Sequence, residues 1–112
     1  MDIQSYVGQN KDNLVKLEAE LMDMLAKCEN NSGQALDTVI NQYANTARLN
    51  LGLEDSDEVK LYTRILIMGS IAGFYGLIDT DKPALKESMV YAEEQTEKIT
   101  GKKYSAKEIA NL

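Results

Sequence analysis

The sequence predicts an all-α fold: an antiparallel bundle of four main helices followed by a short C-terminal helix. Apolar residues recur at spacings of three and four in four long segments, which is the spacing of one helix face. Seven glycines and one proline are too few turn residues for an all-β chain. The turns between the segments are short, which favours antiparallel neighbours. A length of 112 residues suits one core, so we expect a single domain over residues 1–112.

The first helix is predicted over residues 9–29. Its apolar side chains step along one face: Leu14, Leu17, Leu21, Met24 and Cys28. The Asn-Asn-Ser-Gly segment at 30–33 interrupts this pattern, and Ser32 can cap a second helix. The apolar face of the second helix is predicted to contain Leu36, Val39, Ile40, Tyr43 and Ala47. Gly52 accepts the left-handed backbone that often follows a helix, so the second helix should end there.

The third helix is predicted to follow the acidic segment 54–58. Asp55 or Ser56 can cap it, and Asp57 and Glu58 meet the positive end of the helix dipole. The helix should continue to about Ile78 and contains the uncharged run ILIMGSIAGFYGLI. That run is shorter than the roughly 20 apolar residues that cross a bilayer. We therefore expect a buried core helix and no membrane span.

The fourth helix is predicted to begin at Pro83, which suits the first helical position, and to end at Gly101. Its apolar face is predicted to contain Leu85, Met89, Ala92, Thr96 and Ile99. Ser105 and Glu108 fit a capping box, so residues 105–112 should form the short C-terminal helix.

Three glycines, Gly69, Gly73 and Gly76, share one face of the third helix. Each glycine costs roughly 1 kcal/mol relative to alanine inside a helix, so something must offset that cost. We expect the backbone of another helix to approach this packing face closely. A ligand bound in the resulting groove is the alternative.

The first helix carries a second apolar stripe beside the main one. This candidate interface, the α1 stripe below, consists of Val15, Ala19, Met22 and Ala26. The two stripes together are wider than an edge helix of a monomeric bundle needs. The C-terminal segment or a second copy of the chain should cover the excess, and a two-fold homodimer is slightly favoured.

The aromatic residues are six tyrosines and one phenylalanine, without tryptophan. Tyrosine suits half-buried positions because its hydroxyl can reach water while the ring is buried. Tyr43, Tyr62 and Tyr75 could line a shared pocket, although ordinary packing at the edge of the core is favoured.

The amino-acid composition excludes several kinds of catalytic and binding site. Without histidine and with one cysteine, most zinc sites, Ser-His-Asp catalysis and disulfide scaffolds are excluded. No P-loop or dinucleotide fingerprint is present, so we expect no cofactor and no dedicated metal site. A net charge of −6 disfavours direct binding of nucleic acid. The N-terminus is unlike a signal peptide and the single cysteine suits a reducing compartment, so we expect a cytoplasmic protein.

The leading functional hypothesis is a non-enzymatic module that binds another protein through an acidic helical surface, as an adaptor, immunity-type protein, regulator or inhibitor. The alternative is an acidic inhibitor whose carboxylates imitate nucleic-acid phosphates. A third possibility is an Mg²⁺-dependent enzyme. The pairs Glu20–Asp23 and Glu94–Glu97 are similar to the carboxylate pairs of all-α nucleotide pyrophosphohydrolases, in the reverse chain order. Solvated acids on helix surfaces are the favoured interpretation of both pairs.

Overall fold

The computed structural model describes residues 2–29, 33–74 and 83–102, and these ranges contain four helices and no strand. The helices are α1 (Ile3–Glu29), α2 (Gly33–Asn50), α3 (Asp57–Phe74) and α4 (Pro83–Thr100). The prediction of an all-α fold is confirmed. The predicted C-terminal helix at 105–112 lies outside the described residues, as does the predicted end of the third helix near Ile78.

Helix α1 begins at Ile3, earlier than the sequence pattern predicts. Asp2 caps it: the Ser5 N–H donates to Asp2 Oδ1 at 2.7 Å, and the Tyr6 N–H donates to the Asp2 carbonyl oxygen at 3.0 Å. The backbone hydrogen bond from Ser5, followed by that from the Ser5 side chain, lowers the pKa of the Asp2 carboxyl. Ile3 and Val7 are buried, so the extra turns add to the core.

The buried face of α1 differs from the predicted stripe near its C-terminal end. Leu14, Leu17 and Leu21 are buried as predicted, but Leu25 is fully buried while Met24 is only half-buried. A 3-4-3-4 pattern repeats every 3.5 residues, whereas an α-helix has 3.6 residues per turn. The buried face therefore drifts along a long helix. The side chain of Cys28 lies outside the described part of the chain.

The apolar face predicted for α2 was wrong at two positions. Leu36, Ile40 and Ala47 are buried, but Val39 and Tyr43 are exposed. Within the described ranges α2 contacts α1 and α3 but not α4. A helix with neighbours on one side needs a narrow apolar face, so Val39 and Tyr43 lie beyond its edge.

The predicted helix boundaries at Ser56, Gly52 and Gly101 are confirmed. The Val59 N–H donates to Ser56 Oγ at 3.2 Å, which identifies Ser56 as the cap of α3. Gly52 has φ 67° and Gly101 has φ 74°, the left-handed region that glycine adopts without strain. At Gly52 a pair of backbone hydrogen bonds, including Leu53 N–H to the Arg48 carbonyl oxygen at 3.0 Å, closes the end of α2.

Helix α3 is the centre of the core, as its uncharged run predicts. It contacts α1, α2 and α4. Its buried residues include Tyr62, Thr63, Ile65, Leu66, Ile67, Met68 and Ala72. The Thr63 hydroxyl donates to the Val59 carbonyl oxygen at 2.8 Å, so this buried polar group is satisfied within its own helix. No helix in the described ranges is both long and apolar enough to span a membrane.

Candidate functional site

Three tyrosines from three helices form one cluster. The rings of Tyr6 in α1 and Tyr91 in α4 stack, with centroids 4.9 Å apart and planes 15° apart. Tyr62 in α3 meets both rings edge-on, at 6.0 Å from Tyr6 and 5.8 Å from Tyr91. Stacked and edge-to-face pairs are each worth about 0.5–1.5 kcal/mol beyond the burial of their area. The cluster therefore holds α1, α3 and α4 together.

The pKa values of two hydroxyl groups in this cluster, those of Tyr62 and Tyr91, are raised. Burial raises the pKa of Tyr62 above its ordinary value, and nearby Tyr6 and Tyr91 raise it further. Burial also raises the pKa of Tyr91, with the negative charge of Asp2 as the next cause. A tyrosine with a raised pKa is a poor general base or nucleophile. Tyr62 and Tyr91 therefore lack the lowered pKa of an activated base or nucleophile.

A groove with a volume of about 450 Å³ opens beside the tyrosine cluster. One residue of α1 and six residues of α4 line it: Tyr6, Pro83, Lys86, Glu87, Val90, Tyr91 and Glu94. Val90 is 45 % exposed, which is high for a large apolar side chain. The groove thus offers aromatic and aliphatic surface that the described residues leave accessible to a ligand or partner.

The rim of this groove is predominantly acidic. Glu87 and Glu94 line it together with one base, Lys86. Asp2 lies close enough for its charge to raise the pKa of Tyr91. An apolar floor within a negative rim matches a ligand that combines apolar groups with positive charge.

The tyrosine grouping considered from sequence differs from the one observed. The structure groups Tyr62 with Tyr6 and Tyr91, whereas Tyr43 is exposed on α2 and Tyr75 lies outside the described residues. Tyr6 precedes the helix start predicted from sequence, so its place on α1 was missed. The signal that could have found it is Asp2, an N-cap residue three positions before Ser5.

On the side of α3 that faces α1 and α2, one arginine joins these three helices. Arg64 Nη2 donates to Asp37 Oδ1 of α2 at 2.7 Å, and Arg64 Nε donates to Glu18 Oε2 of α1 at 3.3 Å. Arg64 Nη1 also donates to Asn41 Oδ1. The Arg64 side chain is only 15 % exposed, so its charge depends on these partners for solvation. In the sequence Arg64 directly precedes the uncharged run of α3, and nothing local indicates that it joins three helices.

The outer surface of α2 carries little charge. Its exposed described residues are uncharged, and its two charged residues, Asp37 and Arg48, are only partly exposed and make contacts within the protein. Asp37 pairs with Arg64, and Arg48 Nη2 donates to Asn45 Oδ1 at 2.9 Å. We call the exposed side of this helix the neutral face, and its residues include Thr38, Val39, Gln42, Tyr43, Thr46 and Leu49.

The α1 stripe divides into an exposed and a half-buried part. Val15 is 48 % exposed and Ala19 is exposed, whereas Met22 and Ala26 are half-buried and pack against the core. Six charged side chains are exposed on the same helix: Lys11, Asp12, Lys16, Glu20, Asp23 and Lys27. The stripe therefore lies on a helix whose outer surface is strongly charged, and its role as an interface stays a prediction.

The glycine face falls partly within the described residues. Gly69 is buried in α3, Gly73 lies in the same helix, and Gly76 lies outside the described ranges. A buried Gly69 agrees with the interpretation of this face as a packing surface. Close approach of a second backbone there stays a prediction.

The four candidate carboxylates do not converge. Glu94 borders the groove beside Tyr6, whereas Glu20 lies fourteen residues further along α1, about 21 Å of helix rise from Tyr6. Mg²⁺ binds its ligands at about 2 Å, so one ion cannot join these positions. Asp23 forms an exposed ion pair with Lys27 at 3.0 Å. Among the described residues no group of three or more Asp, Glu, His or Cys is placed to hold a metal ion.

Comparison of the chain with protein-family models, curated proteins and solved structures yields no match.

Proposed function

We propose that this protein is a non-enzymatic module that binds another protein through an acidic helical surface, in the manner of an adaptor, an immunity-type protein, a regulator or an inhibitor. The observation that carries this proposal is the groove between α1 and α4. Its floor exposes Val90 beside the stacked rings of Tyr6 and Tyr91, and its rim contains Glu87 and Glu94.

The shape and charge of the groove favour a segment of protein over a small molecule. Small-molecule sites enclose most of their ligand's surface, whereas this groove is open along α4. An apolar side chain of a partner can lie against Val90 and Tyr91, while flanking lysines or arginines face the rim. Such charges chiefly accelerate association and select partners, and the buried apolar contact supplies most of the affinity.

The two other functions receive less support from the same residues. A mimic of nucleic-acid phosphates needs an acidic surface with few bases, but Lys86 and Lys98 flank the exposed acids of α4. A Mg²⁺-dependent hydrolase needs converging carboxylates, and the Glu20 and Glu94 pairs are far apart. We infer further that the helices form the antiparallel bundle predicted from the short turns, and that the protein is cytoplasmic.

Affinity capture with matched variants tests the proposed function. Wild-type chain, Val90→Glu and Val15→Glu are immobilised and exposed to extract of the native cell, and retained proteins are quantified by mass spectrometry. Val15 is a matched control because it has the same side chain and is 48 % exposed, against 45 % for Val90. We expect a specific protein on wild type and Val15→Glu, reduced about tenfold or more on Val90→Glu.

Other results would reject this assignment. Retention that is equal on all three proteins would contradict the groove, and loss on Val15→Glu alone would transfer the contact to the α1 stripe. Recovered nucleotide, with phosphate release that vanishes in Glu20→Gln, would favour the enzyme.

A further inference from the structure

The neutral face of α2 differs from the rest of the protein in its composition. Charged residues are 27 % of the chain, yet no exposed described residue of α2 is charged. Among the residues whose burial the structure describes, five large hydrophobic side chains are exposed, and three of them lie on this face: Val39, Tyr43 and Leu49. Depletion of charge together with exposed tyrosine and aliphatic side chains is typical of the centre of a protein interface.

The lack of charge on this face follows from the way α2 packs. Its only acid, Asp37, is turned towards Arg64, and its only base, Arg48, is turned towards Asn45 and the Leu53 carbonyl oxygen. Both charges are therefore used for contacts within the chain. What remains on the outside is a mixture of hydroxyl, amide and apolar groups.

We propose that the neutral face binds a second copy of this chain, forming a two-fold dimer. Each copy has a net charge of −6, so most pairings of two copies bring like charges together. A two-fold contact places a surface against itself, so an uncharged surface is the one that two acidic copies can share without bringing like charges into direct contact. Threonine, glutamine and tyrosine side chains also suit such a contact, because each can both donate and accept hydrogen bonds.

The size of the face predicts a weak dimer. An 18-residue helix presents less than the roughly 800 Å² per partner that a standard stable interface buries. We expect a dissociation constant between about 10 µM and about 1 mM, so the fraction of dimer should depend on the protein concentration. The proposed dimer contact lies on α2 and includes none of the residues of α1 and α4 that line the groove.

Sedimentation equilibrium from about 10 µM to about 1 mM tests the dimer, since this range brackets a weak association. The wild-type mass should rise from 12.5 kDa towards twice that value. Val39→Glu should raise the dissociation constant about tenfold or more, because two carboxylates would be buried at the contact. Leu49→Glu, at a position 61 % exposed, should act in the same direction. Circular dichroism checks that each variant keeps its helices.

Val15→Glu is the control for Val39→Glu, because it makes the same substitution on the charged outer surface of α1. The Val15→Glu variant should dimerise like wild type. A wild-type mass of one chain at about 1 mM would overturn the proposal. So would a dimer that survives both α2 substitutions. A dimer lost in Val15→Glu but kept in Val39→Glu would place the contact on the α1 stripe instead.

Discussion

The two sides of α3 use charge in opposite ways. Towards α1 and α4 the contact is made by Tyr6, Tyr62 and Tyr91, and the surface outside it carries acids and lysines. Towards α1 and α2 Arg64 forms ion pairs with Glu18 and Asp37, and the exposed described residues of α2 are uncharged. On α2 the two charged side chains make contacts within the chain, whereas α1 keeps many charged side chains on its outer surface.

This difference bears on which surface meets which partner. An acidic rim around an apolar groove selects a positively charged partner, because association of opposite charges is accelerated at long range. The neutral face of α2 gains nothing from such attraction. It can contact the same face of a second copy because neither face brings charged groups to the contact. The two proposed contact surfaces should therefore respond oppositely to added salt.

The largest loss in the free energy of unfolding is expected from a substitution in the tyrosine cluster. Tyr62 is buried and touches both other rings, so Tyr62→Ala leaves a cavity between three helices. Truncation of a buried aromatic residue typically costs about 3–5 kcal/mol in the free energy of unfolding. Urea denaturation followed by circular dichroism measures this loss, and added salt should leave it unchanged. A loss below about 1 kcal/mol would show that the cluster is not part of the core.

A smaller loss of stability, which depends on salt, is expected when the ion pairs of Arg64 are removed. Arg64→Ala removes a nearly buried cation and leaves Glu18 and Asp37 unpaired, which destabilises the fold. Because Asp37 is about half exposed and water screens it, we expect about 1–3 kcal/mol. The difference from wild type should shrink in 1 M salt, where the Debye length is about 3 Å.

The control for this measurement is an exposed ion pair between α3 and the segment that precedes it. Lys60 and Asp55 lie 3.5 Å apart with both side chains mostly exposed, so Lys60→Ala should change stability by less than about 0.5 kcal/mol. Equal losses for Arg64→Ala and Lys60→Ala would mean that Arg64 does not join the helices.

Much of the fold follows from local signals in the sequence. Ser56, Pro83, Gly52 and Gly101 act within a turn of their own positions, so the helix boundaries that they set are predictable. The uncharged run of α3 likewise identified the core helix. The start of α1 was missed because its early apolar residues, Ile3 and Val7, precede the regular leucine pattern.

The candidate surfaces were less predictable because they depend on which helices meet. Tyr6, Tyr62 and Tyr91 are far apart in sequence, and only the packing of three helices makes them one cluster. The exposure of Val39 and Tyr43 was misjudged for the same reason: periodicity indicates which residues share a face but not how wide the covered face is. A signal for the neutral face was present, since α2 contains only two charged residues.

The salt dependence of wild-type self-association tests the central claim most directly. Sedimentation velocity is run at one concentration near the dissociation constant, in about 0.1 M and about 1 M NaCl, where the Debye length falls from about 10 Å to about 3 Å. If two acidic copies meet through the neutral face, screening of their repulsion should increase the fraction of dimer, while Val39→Glu stays monomeric at the lower salt. A dimer fraction that falls as salt is added would mean that ion pairs hold the copies together, which contradicts the account.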